Sequence, residues 1–325
     1  MEKIDKLKYE FQKYNLDGYL IPKNDEFFNE YIPYYKDNLR YISNFSGSYG
    51  LALILKNKNF LFVDGRYTVQ AKNQSGRNFK ILKLPLIKND ININLKKKKI
   101  GFNPRLFNEK TIIHLSNKLK INCVAIEKNL IKSNNKIKKR IKEKYNYFYS
   151  LKGSITGYSS QKKITKLISF LKKKRIDIAF LTSSENIAWL LNMRGRDSEF
   201  SPVPNSFLVL DKRMNIFLFC DLKKINNKFK QDFRFLNIQN LNNLENFLKK
   251  IKNKKFLIDE ITCSVFYKNI IKNKNLILKY KDPIYFMKSM KNDLELKNTK
   301  KVHEYDGAAL TKFLFWIQNN FKKEK

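Results

Sequence analysis

Residues 44–67 read NFSGSYGLALILKNKNFLFVDGRY, and the element entered after the glycines decides how the chain folds. A phosphate-cradling loop needs backbone N–H groups converging at a helix N-terminus, with G-x-G-x-x-G or G-x-x-x-x-G-K-[ST] spacing. GSYG has neither form. The apolar run LALIL, the polar turn KNKN and the return run FLFVD spell a β-hairpin instead. Gly47 and Gly50 are therefore turn residues, chosen for positive φ or for close approach of a neighbour. Asp64 is placed to cap the helix expected over YTVQAKNQ, and Arg66 beside it could reach a carboxylate from a substrate or a partner chain.

The hairpin recurs. FLFCD, beginning at Phe217, repeats FLFVD, beginning at Phe60, a whole domain length further on, and SFLVL precedes it as LALIL precedes the first. Upstream of each hairpin stand an amphipathic helix (Ile4, Leu7, Tyr9, Phe11, Tyr14; then Ile164, Leu167, Ile168, Phe170, Leu171), a short buried strand (YLIP; then AFLTS) and a second helical stretch. The last contains Leu39, Tyr41 and Ile42 in one copy and Ile187, Trp189 and Leu190 in the other, each ending at a glycine, Gly47 or Gly195. Alternating helices and apolar strands predict two related α/β domains, each a mixed sheet flanked by helices. The boundaries expected are 1–135 and 155–283, with the lysine-rich stretch Lys132–Tyr158 as linker. Beyond Asp282-Pro283 a third unit, 284–325, is expected to form a long helix over Met290–Phe321, with Val302, Tyr305, Ala309, Phe313, Trp316 and Ile317 along one side.

Composition narrows the function. The 325 residues are 42% apolar and 14% aromatic, enough to fill real cores. The formal net charge of +38 points by itself to nucleic acid or an anionic membrane. Its texture does not, because it is overwhelmingly lysine spread through every segment with Asn and Ile, which AT-rich codons would produce, whereas direct readout favours arginine's planar fork. Lys132–Lys144, KSNNKIKKRIKEK, is the one stretch suited to touching polyanions. The charged start, MEKIDKLKYEF, has no apolar core of a secretory signal, and no apolar run approaches the ~20 residues of a membrane span. Cys123, Cys220 and Cys263 are odd in number and widely spaced, which fits a reducing cytoplasm.

No catalytic constellation emerges. HEYD at His303 begins like a zinc H-E-x-x-H helix, but Gly307 holds the fifth position. His114 sits on an amphipathic helix as a surface residue. Ser183-Ser184-Glu185-Asn186 reads as a helix cap with an acid in the first turn.

Four segments, in order, resemble the Xaa-Pro aminopeptidases (aminopeptidase P, among the M24 metallopeptidases). YISNFSGSYGLALILKNKNFLFVDGRYTVQA is similar to that family's S-G-F-x-G-S-x-G hairpin ending in T-D-G-R-Y, and IGFNPRL (Ile100–Leu106) to its I-G-x-D-P segment. LTSSENIAWLLNMRGRDSEFSPVPNSFLVL resembles T-x-x-D-E-I-A-W-L-x-N-x-R-G-x-D, and MKSMKNDLELKNTKKVHEYDGAALTKFLFWI resembles the K-N-x-x-E helix that opens the family's catalytic domain. Departures are Val63 for Thr, Asn103 for Asp and Ser184 for Asp. The resemblance implies two tandem creatinase-like N-terminal domains plus the first helix of a pita-bread catalytic domain, the chain being a gene fragment or truncated product.

In the complete family enzyme, two divalent metals, usually manganese, are held by two Asp, one His and two Glu. A metal-bound hydroxide cleaves the bond between an N-terminal residue and a following proline. None of those ligands falls on this chain, so the resemblance implies no catalytic or metal residue here. It implies roles in homodimer formation and active-site access, with Arg66, Arg194, Arg196 and Asp197 as candidates for polar contacts with the catalytic domain, a partner subunit or substrate. Two other readings stay open: a stand-alone non-catalytic binding module that recruits a partner through Phe313, Trp316 and Ile317, and a basic nucleic-acid-binding protein. A related dipeptidase or amidinohydrolase, as in prolidase and creatinase, also stays open.

Overall fold

The structure, a computed structural model, describes residues 3–84, 95–131 and 146–321. Residues 132–145 of the expected linker Lys132–Tyr158 fall outside them, and with them the whole polybasic stretch, while the linker's second half is part of the second domain's fold.

The first sheet holds β1 (Gly18–Pro22), β2 (Gly50–Leu55), β3 (Asn59–Asp64), β4 (Lys80–Leu84), β5 (Lys99–Phe102) and β6 (Asn122–Ala125), in spatial order β4-β3-β2-β1-β5-β6. β1, β2 and β3 pair antiparallel; β3 with β4, and β1, β5 and β6, pair parallel. Alternate side chains leave opposite faces of a strand. One face therefore buries Tyr19, Ile21, Ala52, Ile54, Leu61 and Val63 against the helix Lys3–Gln12, while the other buries Leu20, Leu51, Leu53, Phe60 and Phe62 against the helix Glu109–Leu119. Both faces are covered, and so the strands read as unbroken apolar runs.

Continuing along the chain come β7 (Tyr149–Ser150), β8 (Ile178–Leu181), β9 (Met193–Arg194), β10 (Ser206–Asp211), β11 (Ile216–Cys220), β12 (Asn237–Asn240), β13 (Lys255–Ile258) and β14 (Leu276–Lys279). Six of them form the second sheet in the order β12-β11-β10-β8-β13-β14, while β7 and β9 make a small antiparallel ribbon. Place for place, this order and its parallel and antiparallel pairings match the first sheet. The duplication expected from FLFVD and FLFCD is thus a duplication of topology.

The glycines of the opening hairpin resolve one alternative. Among the described residues, Gly157 is the only glycine with positive φ, so Gly47 and Gly50 serve close approach. A Cβ on Gly47 would fall 2.2 Å from the Phe45 ring, and the left-handed turn belongs to Asn44 at φ 63°. Asparagine tolerates that region because its short polar side chain bonds locally. Asp64 does not cap the expected helix: it caps a short 3₁₀ turn, Gly65–Tyr67, and the helix Thr68–Ser75 follows Tyr67 without a side-chain cap. Ser183 caps Ser184–Leu191 with Glu185 in its first turn. Asn103 still accepts the Arg105 N–H at 2.9 Å, so the Asn-for-Asp departure leaves that turn intact.

The two sheets are stitched together by IGFNPRL and the segment that opens the helix Val265–Lys272. Val265 N–H donates to Phe107 O (2.8 Å), Phe266 N–H to Pro104 O (3.0 Å) and Asn108 Nδ2 to Ile261 O (2.8 Å). Arg105 lies with its guanidinium carbon 3.4 Å from the Phe266 ring centroid and pairs with Glu245 at 2.9 Å. Both charges are about a third exposed, so the ion pair adds little and the stack carries most of the effect. Arg105→Ala is expected to lower stability by about 1–2 kcal/mol in urea unfolding, and Arg105→Lys to recover little, since an ammonium lacks the planar face.

Candidate functional site: the cleft between the sheets

A cavity of about 850 Å³ opens where the two domains meet, walled by the loop after β1 (Glu26–Lys36) and by segments around Arg196–Asn205 and Asp221–Lys224. The first wall is built on Asp25. Its carboxylate accepts the N–H groups of Phe27 (3.0 Å) and Asn29 (3.2 Å), bending the loop so that Phe28 adopts φ 55°. A bulky residue in that region is strained and is held there by its surroundings. Burial, then the neighbouring Glu26, pushes the Asp25 carboxyl above the usual carboxylate range. Burial opposes the charge on Lys36, but Glu26 and Asp25 outweigh it and raise that amine. Lys36 pairs with Glu26.

The loop crosses to the second domain through Asn29 Nδ2, which donates to Asn205 Oδ1 at 2.7 Å, and through Phe27, whose ring stacks on Phe207 at 5.0 Å. On that side the Asp197 side chain is nearly fully buried. It accepts the Asn205 N–H at 2.7 Å and pairs with Lys224.

Of the four residues singled out in sequence, the structure brings Arg196 and Asp197 into this cleft. Arg196 is exposed, with no hydrogen bond or ion pair of its side chain among the described residues. Arg194 turns the other way: its guanidinium donates to Ala188 O (3.2 Å) and Met193 O (2.9 Å), closing the helix Ser184–Leu191, and burial lowers its pKa. Arg66 lies outside the cleft, exposed and paired with Asp64 of its own turn at 2.9 Å. The wall Asp25–Lys36 escaped sequence reasoning. Its signal is the acid and aromatic run DEFFNEY, with Asp25 four residues before Asn29, as a side-chain-capped loop requires.

Two of the charges lining the cleft are matched by partners within it. Lys36 answers Glu26 and Lys224 answers Asp197. Among the described residues no three His, Cys, Asp or Glu side chains gather where a metal ion would fit. A di-metal centre does not fit the described residues. Burial pushes the Cys220 and Cys263 thiols up to about 12 and Cys123 up to about 11, the opposite of an activated thiolate. His303 is exposed, its Nδ1 2.9 Å from Thr299 O.

Beyond the second domain runs a 28-residue helix, Asp293–Asn320, none of whose residues is buried. Its start carries a capping box, in which Asn292 and Glu295 each bond the other's backbone N–H. Val302, Tyr305, Leu310, Phe313 and Leu314 are all more than half exposed, and Phe313 stacks on Trp316 at 6.3 Å.

Two mixed six-stranded sheets of identical order have a counterpart in a known family. Residues 3–134 and 139–295 each match the creatinase/prolidase N-terminal domain, and the chain carries two such domains in tandem. Over 98% of its length it is 30% identical to Xaa-Pro aminopeptidase 1 of Dictyostelium discoideum, and over 95% it is 27% identical to Xaa-Pro aminopeptidase ApepP of Drosophila melanogaster. It spans 53% and 52% of those proteins, about half the length of each. The X-prolyl aminopeptidase of Caenorhabditis elegans, described as a cytosolic enzyme with a di-nuclear active site, shares the fold across the whole chain. The TM-score is 0.83 at 24% identity, and 57% of that protein is covered.

Proposed function

We propose that this chain is the N-terminal, non-catalytic portion of a metal-dependent Xaa-Pro aminopeptidase acting on peptides with proline at the second position. The observation that carries the reading is the collinear match, which runs through both domains and into the long helix while spanning about half of the relatives' length. The two domains shape access to the active site and support a homodimer. The Asp293–Asn320 helix opens the catalytic domain, whose packing would cover Phe313 and Trp316. The metals, manganese in this proposal, belong to residues outside the chain, and the enzyme works in the cytoplasm. No helix among the described residues is long and apolar enough to cross a membrane.

The purified chain, given manganese and a Xaa-Pro peptide, is expected to release no N-terminal residue; measurable turnover would overturn the assignment. The exposed helix stripe also favours a second reading, a binding module that recruits a partner through Phe313, Trp316 and Ile317. Reading the nucleotide sequence past the codon for Lys325 separates the two. A continuation bearing the Asp, Asp, His, Glu, Glu ligand set supports the peptidase, and a stop with unrelated sequence beyond it supports the module.

A further inference from the structure

We infer that Lys163 and Glu295 clamp the Trp189 indole between a cation on its face and a carboxylate on its N–H edge, and that this clamp positions the long helix on the second domain. Lys163, in the helix Ser160–Lys173, is 1% exposed. Its Nζ donates to Asn192 Oδ1 (2.7 Å) and Trp189 O (3.0 Å) and stands 3.9 Å from the Trp189 ring centroid. Its partners are neutral, at the carbonyl end of Ser184–Leu191, where a positive charge is welcome. Trp189 Nε1–H donates to Glu295 Oε1 at 3.2 Å. A cation over the ring draws electron density toward the face and sharpens the N–H as a donor, so the two contacts reinforce one another.

The contacts close into a ring. Asn192 Nδ2 donates to Thr156 Oγ1 (3.2 Å), Asn292 Nδ2 donates to Thr156 O (3.0 Å), and Asn292 and Glu295 complete the capping box. Gly157, at φ 69°, makes room: a Cβ there would lie 2.4 Å from Asn292 Oδ1. With no residue of its own buried, the long helix takes its bearing from this polar ring and from Asn298 Nδ2, which donates to Ile155 O at 3.2 Å. The charged groups acting on Lys163 are Glu295 of the long helix and Arg194 of β9. Burial lowers its amine to about 8, Glu295 opposes the shift and Arg194 adds to it.

The chain has two tryptophans, so Trp316→Phe leaves Trp189 as the only tryptophan, excited selectively at wavelengths where tyrosine does not absorb. Its fluorescence is expected to titrate between pH 7 and 9 with a midpoint near 8, to lose that step in Lys163→Met, and to shift its midpoint downward in Glu295→Gln. Amide exchange over residues 293–301 should accelerate roughly tenfold in Lys163→Met, while β8 and β13 keep their protection. A Trp189 emission spectrum left unchanged by Lys163→Met at pH 7 overturns the inference. So does exchange that is unchanged in the helix or raised equally in the sheet.

Discussion

Asp197→Ala is expected to cost about 3 kcal/mol of stability, the low end of what removing one member of a buried ion pair costs. Its side chain is 2% exposed, whereas Lys224 keeps 24% and can turn partly toward water, which sets the low end. The Asn205 N–H loses its acceptor in the same variant, and with it the segment that holds Asn29 across the cleft. Asp197→Asn keeps an acceptor for that N–H and should lose about half as much. Urea unfolding measures both. If Asp197 instead serves substrate or a catalytic domain, the alanine variant would unfold at the wild-type midpoint and lose only activity in the complete enzyme.

Stability should fall as pH rises from about 4 to about 6, by roughly 3 kcal/mol from a single group, Asp282. Burial, opposed by hydrogen bonds from Asn186 and the Ile284 N–H, holds its carboxyl up at about 6 against an ordinary 3.8. Between those values the folded chain binds a proton that the unfolded chain has released. Stability therefore declines through the window and is level above it. The neighbouring Asn186 Oδ1 is buried without a hydrogen-bond partner. In Asp282→Asn the Asn186 amide can turn over, placing its oxygen against the new Nδ2–H, so the contact survives without the charge. Urea midpoints at pH 4.5 and 7.5 should then differ less in Asp282→Asn than in the wild type, and an unchanged difference would remove Asp282 as the cause.

The architecture was legible because strands covered on both faces become apolar runs, and FLFVD and FLFCD announce themselves as copies. The helix cap at Ser183 was equally legible, since a cap is satisfied within three residues of sequence, whereas Asp64 spends its cap on a 3₁₀ turn ahead of the helix it was expected to start. Side-chain destinations were not. Arg66, Arg194 and Arg196 look alike in sequence, yet one folds back on its own turn, one closes a helix and one faces the cleft. Arg105 finds Glu245 and Phe266 from a distant stretch of chain, which no local pattern encodes. The wall at Asp25–Lys36 lies between regular elements, where neither helical nor strand periodicity marks a residue as important.

The identity of strand order in the two sheets gives the molecule an internal reference. Leu61 and Leu218 occupy twin sites on β3 and β11, both fully buried, in one chain and one solvent. One of those cores adjoins the second domain's junction with the long helix and the other does not. An identical truncation at each site would compare the two cores directly, and the part of any excess at Leu218 that vanishes when the long helix is removed would measure what that helix demands of the sheet that carries it.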